Sequence, residues 1–192
     1  MPPTSLPARA RLLIAVAAVG AALAIWWGMN EAVVSGAGPI GVLAVLGFLL
    51  LLSNRYPLLL YGPNYSEAVS FDDGLLAVVL AVMPSGTTIL LFAAAQLAAQ
   101  VWRRRSPVKA LFNTAQFTLA TAVAVSVGDA IGRTPGQITP TLVPAVLAAV
   151  ATFVTVNALL VGGLLKVVAG QPFHAAWREG RGTRLLLVTV GT

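Results

Sequence analysis

The positive charges of this chain sit only at the ends of long apolar segments, which leaves little choice of fold. Arg9 and Arg11 precede the first segment, and Arg55 follows the second. Arg103, Arg104, Arg105 and Lys109 lie between the fourth and fifth. Lys166, Arg178, Arg181 and Arg184 follow the sixth. Only Arg133 falls on the other side of an alternating threading. Such a one-sided distribution of Lys and Arg orients membrane helices, with the basic side cytoplasmic. Composition agrees, with 58% of residues hydrophobic and 9% charged, against about 25% charged in a soluble domain. The sequence predicts an all-α polytopic membrane bundle of six spans with its N-terminus inside.

A crossing needs about 20 apolar residues. The predicted spans are Leu12–Met29, Pro39–Ser53, Phe71–Met83, Thr87–Trp102, Pro107–Gly128 and Pro140–Val168. The third and fourth are short. They read as a tilted hairpin or as two half-helices of a re-entrant element around Pro84-Ser85-Gly86, which is read as a turn. Tyr56–Ser70 reads as irregular. Ser106-Pro107 and Thr139-Pro140 each place a capping hydroxyl before a proline at the first helical position. Ser70-Phe71-Asp72-Asp73 fits an S-x-x-D cap. The chain divides into a cytoplasmic arm (1–11), the transmembrane bundle (12–168), a cytoplasmic juxtamembrane segment (169–184) and an apolar stretch (185–192). That last stretch is expected to open a truncated seventh span of a chain continuing past Thr192. Phe173, Trp177 and the nearby arginines suit either an amphipathic piece at the inner surface or a connecting loop.

Several function classes are disfavoured. The net charge of +6 forms no basic face interleaved with aromatics, so nucleic acid is not expected. With no cysteine and one histidine, neither a thiolate site nor a multi-histidine metal site can form within one chain. No nucleophile–base pair and no cofactor fingerprint appears, so no enzyme activity and no cofactor are expected. No charge falls near the middle of a span, against a proton relay or voltage sensor.

Three groups remain as candidates. Glu67, Asp72 and Asp73 could hold a hard cation, although Asp72 and Asp73 equally suit the positive end of a helix. Gln96 and Gln100 lie four apart on the fourth span, and Asn113 and Gln116 three apart on the fifth. With Asn157 on the sixth, they could line a ligand pocket toward the inner half of the bundle, or bond across helices structurally. Thr118, Thr121, Thr152 and Thr155 belong to the same polar set. The basic residues Arg9, Arg11, Arg103, Arg104, Arg105, Lys109, Arg178, Arg181 and Arg184 read as topology and lipid contacts.

The block from Val69-Ser70-Phe71 through Pro84-Ser85-Gly86-Thr87-Thr88, the basic loop Arg103–Lys109 and Leu111-Phe112-Asn113-Thr114-Ala115-Gln116 resembles a bacterial pattern. It is similar to the N-terminal polytopic membrane input domains (MASE-type) that precede HD-GYP or GGDEF output domains, over roughly residues 38–130. The resemblance implies a non-catalytic sensory or regulatory domain in a bacterial cytoplasmic membrane, with Asn113 and Gln116 as inward polar positions. The chain itself carries no HD-GYP or GGDEF signature. In size and helix count it also resembles the substrate-binding subunits of energy-coupling-factor vitamin transporters, which would make it a transport subunit. A structural subunit of a membrane complex is the third expectation. The partners expected are the lipid bilayer, a cytoplasmic signalling domain or coupling subunit, a small-molecule ligand and a second copy of the chain.

Overall fold

The computed structural model describes residues 6–36, 38–56, 58–62, 65–69 and 71–169, and for 58–62, 65–69 and residue 169 it describes the backbone. Among these residues the body is helical: α1 (Ala8–Ser35), α2 (Ile40–Arg55), α3 (Asp72–Val82), α4 (Ser85–Trp102), α5 (Pro107–Ala130) and α6 (Leu142–Ala169). One feature departs from the all-α expectation. Within the stretch read as irregular, β1 (Leu58–Gly62) pairs antiparallel with β2 (Tyr65–Val69), Leu58 opposite Val69. Pairing gives backbone groups outside the helices their hydrogen-bond partners. The juxtamembrane segment with Arg178, Arg181 and Arg184, and the expected seventh span, lie outside the described residues.

The helices run alternately up and down, as pairs of contacts at both ends demonstrate. At one end, Gly28 of α1 meets Gly86 of α4, and Gly38 before α2 meets Met83 after α3. There too, Thr141 before α6 donates to the Gly132 carbonyl after α5 at 2.9 Å. At the other end, Arg103 after α4 donates to the Arg55 carbonyl of α2 at 3.1 Å. Asn54 of α2 donates to Asp72 of α3 at 3.0 Å. Among the described residues, every Lys and Arg except Arg133 therefore lies at this second end, called the basic end below. The spatial grouping expected from the charge pattern is present. Consecutive α3 and α4, however, do not pack as a hairpin. They splay at Met83-Pro84, α3 packing on α2 and α6, and α4 on α1, α2 and α5.

Helix α1 shows why the bundle closes. Its buried residues are Ala10, Ile14, Ala17, Ala21, Ala24 and Gly28, spaced alternately four and three apart. Apart from Ile14 they are small, so backbones can approach closely. A Cβ on Gly86 would collide with the Gly28 carbonyl oxygen and lie 2.9 Å from the Ala32 nitrogen. Leu12, Val16, Val19, Leu23 and Trp26 point outward and are exposed, an apolar exterior suited to lipid. At the centre, Phe92, Phe117 and Phe153 from α4, α5 and α6 form a triad with ring centroids 6.0, 6.4 and 5.0 Å apart. These separations suit offset and edge-to-face packing.

Three described helices are long and apolar enough to cross a membrane: Ala8–Ser35, Pro107–Ala130 and Leu142–Val168. Their apolar outer faces are compatible with a membrane protein. Helices α2, α3 and α4 have 16, 11 and 18 residues. At 1.5 Å per residue, α3 covers about 17 Å.

The predicted helix ends are close but their chemistry differs. Pro107 opens α5 after Ser106, whose hydroxyl makes no capping hydrogen bond. Helix α6 begins two residues after Pro140, with the Thr141 hydroxyl turned to the Gly132 carbonyl. Phe71, not Ser70, occupies the N-cap position of α3. Ser85 and Gly86, read as a turn, are the first residues of α4.

Candidate functional site

The polar residues collect in three zones: an amide belt, the basic end and a knot of charges at the far end. The belt follows from helical spacing, because residues three or four apart share a face. Gln96 and Gln100 on α4 are both buried. Asn113 Nδ2 on α5 donates to Gln100 Oε1 at 3.2 Å, so the structure joins these two predicted residues directly. Gln116 is buried on α5. Gln96 Oε1, Gln116 Oε1, Thr114 Oγ1 and, on α6, Asn157 Oδ1 are buried with no partner among the described residues. A buried acceptor left unpaired costs about 1–3 kcal/mol. Such a set can accept hydrogen bonds from the N–H or O–H groups of a small molecule.

The four threonines predicted with the belt bond within their own helices instead. Thr118, Thr121, Thr152 and Thr155 each donate to the carbonyl four residues earlier in their own helix, at 2.8–2.9 Å. A short hydroxyl side chain reaches its own backbone more readily than a neighbouring helix.

Of the acidic trio, the side chains of Asp72 and Asp73 are described. Asp72 is buried and accepts from Asn54 Nδ2, which also donates to the Leu50 carbonyl at 3.0 Å. Asp72 and Asp73 lie in the first turn of α3, where negative charge is favoured. Glu67 lies on β2, and its side chain is outside the described residues. Among the described residues, no three His, Cys, Asp or Glu side chains group to hold a metal ion.

At the basic end, Arg9 and Arg11 are exposed. The loop after α4 is more structured than a topology signal requires. The Arg104 N–H donates to the Val101 carbonyl at 2.9 Å and the Arg105 N–H to the Gln100 carbonyl at 3.2 Å. This is a Schellman closure of α4, with Arg104 at the position where glycine is usual. Arg104 takes φ 52°, and among the described residues it is the non-glycine residue in that region. The Cβ clash there costs about 1–2 kcal/mol. An open cleft of about 740 Å³ lies over this loop, lined by Arg55, Trp102, Arg103, Arg104, Arg105, Ser106 and Lys109. The Arg55 guanidinium sits 4.8 Å from the Tyr56 ring centre and 5.6 Å from that of Trp102. Burial, then the nearby Arg105 and Arg55 charges, lower the pKa of Arg103 from its ordinary value, partly opposed by Asp72.

The far-end knot is not foreseen from the sequence, where Arg133 stands only as the basic residue on the other side of the threading. Arg133 is 6% exposed. Its Nε donates to Asp129 Oδ1 at 2.9 Å, and its Nη1 to the Leu80 and Met83 carbonyls at 2.7 and 3.0 Å. Its Nη2 donates to Ser85 Oγ, and the Ser85 hydroxyl donates to Asp129 Oδ2 at 2.5 Å. The Gly136 N–H donates to the Ala81 carbonyl at 2.8 Å. Glu31 of α1 accepts from the backbone N–H groups of Gly86 and Ser85, while its Oε2 is buried without a partner. The break between α3 and α4 is thus held from both sides, by a cation at the carbonyl end of α3 and an anion at the N–H end of α4. Both charges match the helix dipoles they face. The signal in the sequence is that Arg133 is the exception to the charge rule and lies only four residues after Asp129.

No known protein family, no curated protein and no solved structure matches the chain.

Proposed function

We propose that this chain is a non-catalytic sensory or regulatory input domain of a bacterial cytoplasmic membrane. Its helices lie in the bilayer with the basic end cytoplasmic, and α1, α5 and α6 are long enough to cross it. A small molecule bearing N–H or O–H donors occupies the amide belt, and its arrival shifts α4 against α5. The shift reaches a cytoplasmic partner through the basic loop. The observation that carries this reading is the pair of buried acceptors Gln96 Oε1 and Gln116 Oε1, without a partner among the described residues, beside the Gln100–Asn113 bond. Gln100 supports the route outward: its side chain belongs to the belt and its carbonyl closes the Arg103–Arg105 loop. A ligand biases such a bundle only by binding one arrangement more tightly than the other.

The test is native mass spectrometry of the protein taken from its own membrane into lipid discs. A retained small molecule is expected, lost in Gln96→Leu/Gln116→Leu. An identical spectrum for both proteins would overturn the assignment of the belt. The orientation has its own test in this cysteine-free chain. A cysteine replacing Arg104 should react with an impermeant maleimide only after the membrane is opened; labelling in intact cells would reverse the topology.

A further inference from the structure

We propose that the cleft at the basic end is a binding site for a phosphate group, carried either by a lipid head or by a soluble phosphate compound. Topology alone asks only that cations be on the correct side. It does not ask that Arg55, Arg103, Arg104, Arg105 and Lys109 converge on one cleft, and no carboxylate lines that cleft among the described residues. Like charges brought together disfavour one another, and an anion between them removes the repulsion.

Four further observations point to a phosphate. The Arg55 guanidinium is held near two aromatic rings, and its buried Nε has no acceptor among the described residues. Arg103 is anchored by its bond to the Arg55 carbonyl, so the cations are partly pre-positioned. Ser106 precedes the first turn of α5, a helix of 24 residues, with a hydroxyl that makes no cap hydrogen bond. The N–H groups of that turn and the positive dipole end therefore add to the cleft, an arrangement that suits phosphate. Finally, the chain keeps arginine at position 104 in a left-handed conformation that glycine adopts freely. Planar guanidinium forks match phosphate oxygens two at a time, which is a use for that side chain where glycine would suit the backbone better.

The experiment titrates the whole protein in maltoside micelles with two probes, inorganic pyrophosphate and dioctanoyl phosphatidic acid, by isothermal calorimetry. Saturable one-to-one binding of at least one probe is expected. Pyrophosphate alone identifies a soluble phosphate ligand; phosphatidic acid alone identifies a lipid head; both identify the phosphate as sufficient. Arg104→Gly keeps the left-handed turn and should weaken binding at least ten-fold, as should Arg105→Gln. Lys166→Gln removes a charge at the same end but outside the cleft, and should change affinity less than two-fold. Failure of both probes to saturate overturns the proposal. So does a Lys166→Gln loss equal to that of Arg104→Gly, which would show diffuse attraction to a basic surface. Unchanged affinity in Arg104→Gly and Arg105→Gln also overturns it. None of these results depends on a ligand in the amide belt.

Discussion

Replacing Arg133 with alanine should destabilise the bundle more than any other change at the ends of its helices. The guanidinium serves four acceptors: Asp129, the Leu80 carbonyl, the Met83 carbonyl and Ser85. Its own side chain is fully buried, whereas that of Asp129 is 36% exposed. Removing one partner of a buried ion pair costs about 3–5 kcal/mol. The exposure of Asp129 lowers this, because its carboxylate can recover water. The two stranded carbonyls raise it, at about 1–3 kcal/mol each. These terms share one site and do not simply add; about 4 kcal/mol is expected. That is roughly a thousand-fold change in the unfolding equilibrium. Arg133→Lys keeps the charge but loses the planar fork, so about half of the loss is expected. The measurement is reversible unfolding in mixed micelles with increasing dodecyl sulfate, followed by tryptophan fluorescence. A loss under 1 kcal/mol for Arg133→Ala would refute the reasoning, since it would mean that water replaces the guanidinium freely. An equal loss for lysine and alanine would refute the role given to the fork.

Three further outcomes are expected from the same unfolding measurement. Gly86→Ala should cost about 1–3 kcal/mol, because its Cβ meets the Gly28 and Ala32 backbone; Gly41→Ala, which meets nothing within 4 Å, should be close to neutral or slightly favourable. Arg104→Gly should raise stability by up to about 1 kcal/mol by relieving the left-handed strain, and a loss of stability would show that the side chain holds the loop. Gln96→Leu should stabilise the ligand-free protein by about 1 kcal/mol, since it removes an unpaired buried acceptor. A loss larger than that would mean that the amide already has a partner.

Much of the helical plan can be read directly from the chain. The predicted boundaries of α2, α3, α4 and α5 lie within about two residues of those observed, because proline, glycine and charge each act on the backbone locally. The pairing of β1 with β2 departs from the irregular reading of Tyr56–Ser70. The amide belt was legible through the three- and four-residue spacing of its members. The threonines on the same helices were not, because whether a hydroxyl bonds outward or to its own turn depends on what stands opposite. Ser85 was read as a turn residue because Pro84-Ser85-Gly86 is a turn-like string. In the structure it opens α4, and its hydroxyl links Arg133 to Asp129.

By itself the sequence determined that the charges segregate to one end of an alternating helical bundle. Charge cannot rest in an apolar interior without a partner, and its spacing along the chain counts the reversals. Only the tertiary structure decided which far-end groups are brought together and buried. Glu31, Ser85, Asp129 and Arg133 belong to three helices and a loop, far apart in the chain, and no local pattern specifies their meeting. The same holds at the opposite end, where Arg55 and the loop after α4 converge on one cleft. Burial of a charge is set by what packs over it, and packing is a property of the assembled bundle.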